Sequence, residues 1–200
     1  ATTIEQYVIG QLNLSTTKEA LKTVYVDLLN YGAAAQVAFK YDAENPANAR
    51  VTTAQQEQYA TKSVTMTPVS VSGAGYNKTT LSLGNRIEMK IQFKNADMPR
   101  ENVAYAIATW NNYKGVAKSQ RIEESAFIKV GNYYQVVVTE TGLADCLEMV
   151  TVKLYDANGN VLSTVTDSVG NYVAAQPSTA AAIYFMVQKL AYSASTYFKS

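Results

Sequence analysis

The sequence predicts a mainly β protein with flanking helices: an antiparallel β-sandwich of about eight to nine strands packed with N- and C-terminal α-helices. Two changes of hydrophobic period carry that reading, because helical spacing gives way to short alternating or β-branched runs near residue 63 and returns near 168. Turn signals recurring about every ten residues between those points are the third observation, since such spacing marks sandwiches and barrels rather than βαβ units. The 200-residue chain therefore divides into a helical segment and connector over 1–62, a β-module over 63–167 and a C-terminal helical segment over 168–200.

Two helices open the chain. Thr3-Ile4-Glu5-Gln6 and Thr16-Thr17-Lys18-Glu19 both have the capping-box form, in which a hydroxyl accepts from the third helical amide and a Glu or Gln reaches back. Leu21, Val24, Leu28, Tyr31, Ala35 and Ala38 then draw one apolar stripe along a second helix that runs to about Tyr41. Within it Gly32-Ala33-Ala34-Ala35 has almost no side-chain volume. A mid-helix glycine costs about 1 kcal/mol against alanine, so the patch is read as the place where another element comes close. On that reading Gly32→Leu overpacks the contact and destabilises the fold. Asn45-Pro46 ends the helical region, and 42–62 is a polar connector with one turn of helix around 53–59.

Strand-like segments follow at 64–71, 79–83, 86–93, 103–109, 116–122, 126–130, 133–139, 147–155 and 161–166. Between them stand Gly73-Ala74-Gly75, Gly84-Asn85, the stretch 112–115, Gly131-Asn132 and Asp156-Ala157-Asn158-Gly159-Asn160. After 167, Ser168 opens a short helix and Pro177-Ser178 a longer one with the stripe Ile183, Val187, Leu190, Ala194 and Tyr197. These last helices echo the first. Thr3-Ile4-Glu5-Gln6-Tyr7-Val8 matches Ser168-Val169-Gly170-Asn171-Tyr172-Val173, and Leu29-Asn30-Tyr31-Gly32-Ala33 matches Leu190-Ala191-Tyr192-Ser193-Ala194. A tandem array of helical pairs and β-modules accounts for the echo, as does simple likeness between amphipathic helices that pack on similar surfaces.

The run Leu28-Leu29-Asn30-Tyr31-Gly32-Ala33-Ala34-Ala35-Gln36, with Phe39, Tyr41 and Asn45-Pro46-Ala47-Asn48-Ala49, resembles a junction in large modular secreted or surface proteins of gut clostridia and ruminococci. So does the hairpin Tyr155-Asp156-Ala157-Asn158-Gly159-Asn160 followed by a short helix at Ser168 to Tyr172. The resemblance covers both ends and the last hairpin but little of the sandwich, and the second helical copy has Ser193 and Ser195 where the first has Gly32 and Ala34. It implies an extracellular or cell-surface module of polysaccharide-degrading or adhesion machinery, with neighbouring modules of the same polypeptide as partners. It brings no catalytic residue.

Composition excludes more chemistry than it offers. With no histidine, Ser-His-Asp and Cys-His catalysis are impossible within the chain, as are the usual Cys/His zinc sites. Cys146 is the only cysteine, so no internal disulfide forms. The 17 basic and 16 acidic residues are scattered, which gives no electrostatic footprint for nucleic acid. No apolar run approaches the roughly 20 residues that a membrane span needs, and residues 1–20 lack the basic start and apolar run of a signal peptide. No cofactor is implied. What stands in excess is tyrosine, 15 residues, most of it read as strand and core.

Trp110, Asn111, Asn112 and Tyr113, beside Lys114, form the first candidate ligand-binding group: aromatic faces stack on the C–H faces of a sugar ring and amides bond its hydroxyls. Tyr76 and Asn77 are expected at the same rim. The competing reading is a core tryptophan followed by a polar turn. Asp156, Asn158 and Asn160 have the one, three, five spacing of a calcium loop, with Asp167 at position twelve, but Val161 stands where such a loop needs glycine, so a hairpin turn is the simpler reading. Glu123, Glu124, Glu140, Asp145 and Glu148 supply carboxylates for a hydrolase, although adjacent strand residues point to opposite faces. Asn13-Leu14-Ser15 and Asn77-Lys78-Thr79 are formal glycosylation sequons. The leading expectation is a non-catalytic extracellular module that binds polysaccharide through exposed aromatics. A structural spacer or adhesion domain without a glycan ligand is the alternative, and a carboxylate-dependent glycoside hydrolase a remote third.

Overall fold

A computed structural model describes residues 3–84 and 86–200 of the chain. Helix α1 (Ile4–Leu12) begins where its capping box places it: the Gln6 amide donates to the Thr3 hydroxyl at 3.1 Å and the Thr3 amide to the Gln6 side chain at 3.0 Å. Helix α2 (Glu19–Phe39) starts without a side-chain cap, at Lys18 rather than at a threonine. The Thr17 hydroxyl is committed elsewhere, donating to the Gln11 side chain at 3.2 Å. At its end Lys40 adopts the left-handed conformation (φ 56°), and the Tyr41 amide closes back on the Gln36 carbonyl, which stops the helix just short of the expected Tyr41. Helix α3 (Thr53–Tyr59), at the residues expected, has its own box of Thr52 and Gln55.

The described chain forms two compact units, one of residues up to Thr65 with Gln176–Ser200, the other Met66–Ala175. The first is helical. Val8 and Leu12 of α1, Val26 and Leu29 of α2, Val51 and Tyr59 make its core, and helix α5 (Ala182–Lys199) packs on α2. Of the expected stripe only Ala35 is buried, and Ala38 is exposed; because α2 contacts α1 and α3 as well as α5, its buried positions are Lys22, Val26, Asp27, Leu29, Ala35 and Gln36. Asp27 is held by the Thr61 amide and hydroxyl at 3.0 and 2.6 Å. Gly32 faces Ala47: a Cβ built at the glycine stands 3.0 Å from the Ala47 Cβ, so the small patch accommodates the connector that follows its own helix. Helix α5 starts at Ala182, five residues beyond Pro177, because residues 177–180 close a separate turn through the Ala180 amide and the Pro177 carbonyl. The buried positions Lys22, Val26, Asp27 and Leu29 recur as Ile183, Val187, Gln188 and Leu190 in α5, the same offset that relates the two Leu-x-Tyr motifs.

The second unit has two four-stranded antiparallel sheets. Strands β1 (Tyr76–Leu83), β2 (Ile87–Lys94), β6 (Tyr133–Val138) and β5 (Ile128–Val130) form one in that order. Strands β4 (Ala117–Glu123), β3 (Tyr105–Asn111), β7 (Val150–Tyr155) and β8 (Val161–Asp167) form the other. Their inner faces meet in one apolar core with Ile91, Phe93, Ala106, Val136, Val152, Leu154 and Val165 at its centre, each without accessible surface. Alternation accounts for it: in β6 and β7 every second residue is buried. Gln120 of β4 ties the sheets along one side, accepting from the Thr139 amide at 2.9 Å.

Eight strands rather than nine are present among the described residues because 64–71 pairs with neither sheet. Val69 instead exchanges hydrogen bonds with the Asn171 side chain, at 2.7 Å to its oxygen and 3.1 Å from its nitrogen. Asn171 sits in helix α4 (Val169–Ala174), capped by Ser168, and this anchors α4 in the sandwich unit. The C-terminal segment expected as one piece over 168–200 is thus divided between the units, and the two members of the Thr3/Ser168 match, α1 and α4, belong to different ones. The Gly84-Asn85 turn signal reaches Asn85, which lies outside the described residues.

Candidate functional site

Trp110, at the last inward position of β3, is 6 % exposed. Its indole N–H donates to the Asp145 carboxylate at 3.2 Å, and the other carboxylate oxygen accepts from the Tyr113 amide at 3.0 Å. The Asn112 side chain accepts from the Lys114 and Val116 amides at 3.0 and 2.9 Å, which folds 112–116 into a closed turn with Gly115 at φ 78°. Lys114 lies over the Tyr113 ring, 5.6 Å from its centre. Trp110 and Asn111 still line a shallow groove of about 460 Å³ with Thr109, Lys118, Ser119 and Met149, but at 6 % exposure the indole leaves little surface for stacking. Tyr76 and Asn77 belong to the other sheet. The Tyr76 hydroxyl meets that of Thr79 at 3.1 Å, its burial raising the phenol above its ordinary pKa, and the Asn77 amide donates to Gln92 at 2.7 Å. The structure therefore does not bring Tyr76 and Asn77 to the Trp110 loop.

The Asp156 carboxylate is saturated by its own turn. It accepts from the amides of Asn158 and Asn160 at 2.9 and 2.8 Å and from the Asn160 side chain at 2.8 Å, which holds it below the usual carboxylate range. Gly159 at φ 83° completes the hairpin between β7 and β8, while Asp167 is buried at the far end of β8 and bonded to Ser168 and Asn171. Among the described residues no group of three or more acidic or cysteine side chains is placed to hold a metal.

A cleft of about 610 Å³ opens where β2, β4 and the β5–β6 hairpin end, within the range of about 300–1,000 Å³ usual for ligand sites. Its walls come from three connections. After β2, Asn95 accepts from the Arg100 amide at 3.0 Å, which sets the one-turn helix Arg100–Asn102 and brings Arg100 and Glu101 to one wall. After β4, a second one-turn helix, Glu124–Ala126, presents Glu124, which pairs with Arg100. The β5–β6 hairpin turns through Gly131 (φ 58°) and Asn132 and adds Lys129, Asn132 and Tyr133 to the lining, with the Asn95 amide donating to the Asn132 carbonyl at 3.0 Å.

The polar side chains of this cleft are largely uncommitted, in contrast to those of the Trp110 loop. Glu101, Lys129, Asn132 and the Tyr133 hydroxyl make no hydrogen bond or ion pair among the described residues, and the Asn95 NH₂ donates to none. Behind them Tyr134, 1 % exposed, stacks on Phe93 and Phe127 at centroid distances of 5.6 and 5.7 Å, and its hydroxyl has no partner among the described residues. Burial, and next the Glu101 charge beside it, raise this phenol far above its ordinary pKa.

No family, curated protein or solved structure matches the chain. Sequence spacing does not reveal the cleft, because its residues are spread over 95–134 with no motif; of its carboxylates only Glu124 stands among the sequence candidates. One signal is present, the Gly131-Asn132 hairpin beside two tyrosines. A second unforeseen arrangement uses up tyrosine surface: on the outer face of the second sheet Tyr105 stacks on Tyr155 at 4.9 Å, and the Arg121 guanidinium covers its other face at 3.5 Å.

Proposed function

We propose that this chain is a non-catalytic extracellular module that binds polysaccharide, and that the ligand lies in the cleft of Asn95, Glu101, Lys129, Asn132 and Tyr133. The observation that carries this reading is the free hydrogen-bonding capacity of those side chains around a half-buried tyrosine ring. A polyhydroxyl ligand needs donors and acceptors that the folded protein leaves unused, together with an aromatic face, and this cleft has both. Hydrolysis of the ligand is disfavoured because glycoside cleavage takes two available carboxyl groups, and Glu124 is engaged by Arg100.

Affinity electrophoresis of the full chain against starch, cellulose, xylan and mannan tests the reading. Retardation by at least one polymer is expected, with Tyr133→Ala abolishing it and leaving the melting temperature within a few degrees of the parent. Burial of Trp110 favours a second reading, a spacer or adhesion domain that displays neighbouring modules. Absence of retardation by every polymer selects that one.

A further inference from the structure

We infer that the cleft takes an uncharged saccharide, an inference that rests on the polysaccharide reading and names its ligand class. Four charged side chains line the cleft, and they cancel. Arg100 and Glu124 neutralise each other in an ion pair, which leaves one free cation, Lys129, and one free carboxylate, Glu101, among the described residues. A uronate or sulfated sugar drawn to Lys129 enters a cleft that also holds the Glu101 carboxylate, and an amino sugar drawn to Glu101 enters one that holds the Lys129 ammonium. The formal charge of the whole chain is +1, so no long-range field selects either kind of ion.

Sugar hydroxyls have no such conflict. Each is both donor and acceptor, so a Glu101 carboxylate, a Lys129 ammonium and the amides of Asn95 and Asn132 all find partners on one neutral ring. Hydrogen bonds to charged groups are the stronger ones, which makes Glu101 and Lys129 the main polar contacts for an uncharged ligand. Tyr133, at the start of β6, supplies the apolar face for the C–H side of the ring.

The experiment is native electrophoresis of the full chain in gels containing hydroxyethylcellulose, arabinoxylan, galactomannan, polygalacturonate or chitosan, each at about 0.05 M and about 0.5 M salt, where screening lengths differ severalfold. The expected result is retardation by a neutral polymer, changed less than about twofold by salt, and weakened about tenfold by Glu101→Gln and by Lys129→Gln alike. Preference for polygalacturonate or chitosan that salt abolishes overturns the inference while leaving the polysaccharide reading in place, as does neutral binding that neither substitution alters. No retardation by any of the five or by starch overturns the polysaccharide reading itself.

Discussion

Asp145 is 8 % exposed and gives one carboxylate oxygen to the Trp110 indole and the other to the Tyr113 amide. One side chain thereby fixes both the end of β3 and the turn beyond it. Asp145→Ala leaves a buried indole N–H and a turn amide without acceptors, and an unsatisfied buried donor costs about 1–3 kcal/mol. The expected outcome is a clear fall in the melting temperature followed by tryptophan emission, with no change in retardation by a polysaccharide. Tyr133→Ala is the mirror case, losing retardation with little loss of stability. The two substitutions together separate a residue that builds the fold from one that meets a ligand, and an Asp145→Ala protein that melts like the parent contradicts the role given to the carboxylate.

Helix α4 shows how an element of six residues is held by tertiary contacts alone, since so short a helix is unstable by itself. Asn171 fastens it to the extended chain at Val69, the Gly170 amide donates to the Cys146 carbonyl at 2.8 Å, and a Cβ built at Gly170 comes within 2.9 Å of Leu147 and Met66. Asn171→Ala, which leaves the Val69 amide without its acceptor, is therefore expected to lower stability by about 1–3 kcal/mol, measured by urea denaturation. An unchanged midpoint there would show that α4 yields without cost. None of this is legible in the sequence, where Ser168 announces the helix but nothing says which unit claims it. Local signals are readable because local geometry satisfies them: the Thr3 and Thr52 boxes, the Asp156 hairpin and the alternation of β6 and β7 all act within a few residues. The Thr16 box fails because α2 is capped at Lys18, which makes Glu19 its first residue and not its third. The extended run 64–71 looks like a strand because β-branched residues suit any extended chain that is half covered, paired or not. The cleft is the least legible feature, since three connections distant in sequence converge only after the sheets have formed.

At the scale of the molecule, the chain leaves a helical unit after Thr65, completes a sandwich unit by Ala175 and returns to supply α5 to the first. Each unit has its own buried cluster, so each has its own source of cooperativity. The sandwich unit carries two natural reporters: the only tryptophan and the only cysteine. Cys146 is 1 % exposed, and burial, with the neighbouring Asp145 charge, pushes its thiol up to about 12. Reaction with an aromatic disulfide reagent requires thiolate and access, and the folded unit withholds both at neutral pH. The thiol is therefore expected to be silent in native buffer and to react in urea with the same midpoint as the shift in Trp110 emission. Circular dichroism, dominated by α1, α2, α3 and α5 of the helical unit, is free to follow a midpoint of its own. Labelling of Cys146 ahead of the Trp110 transition would mean that the α4 contacts around Leu147 open separately, and that the sandwich with α4 is not one cooperative unit.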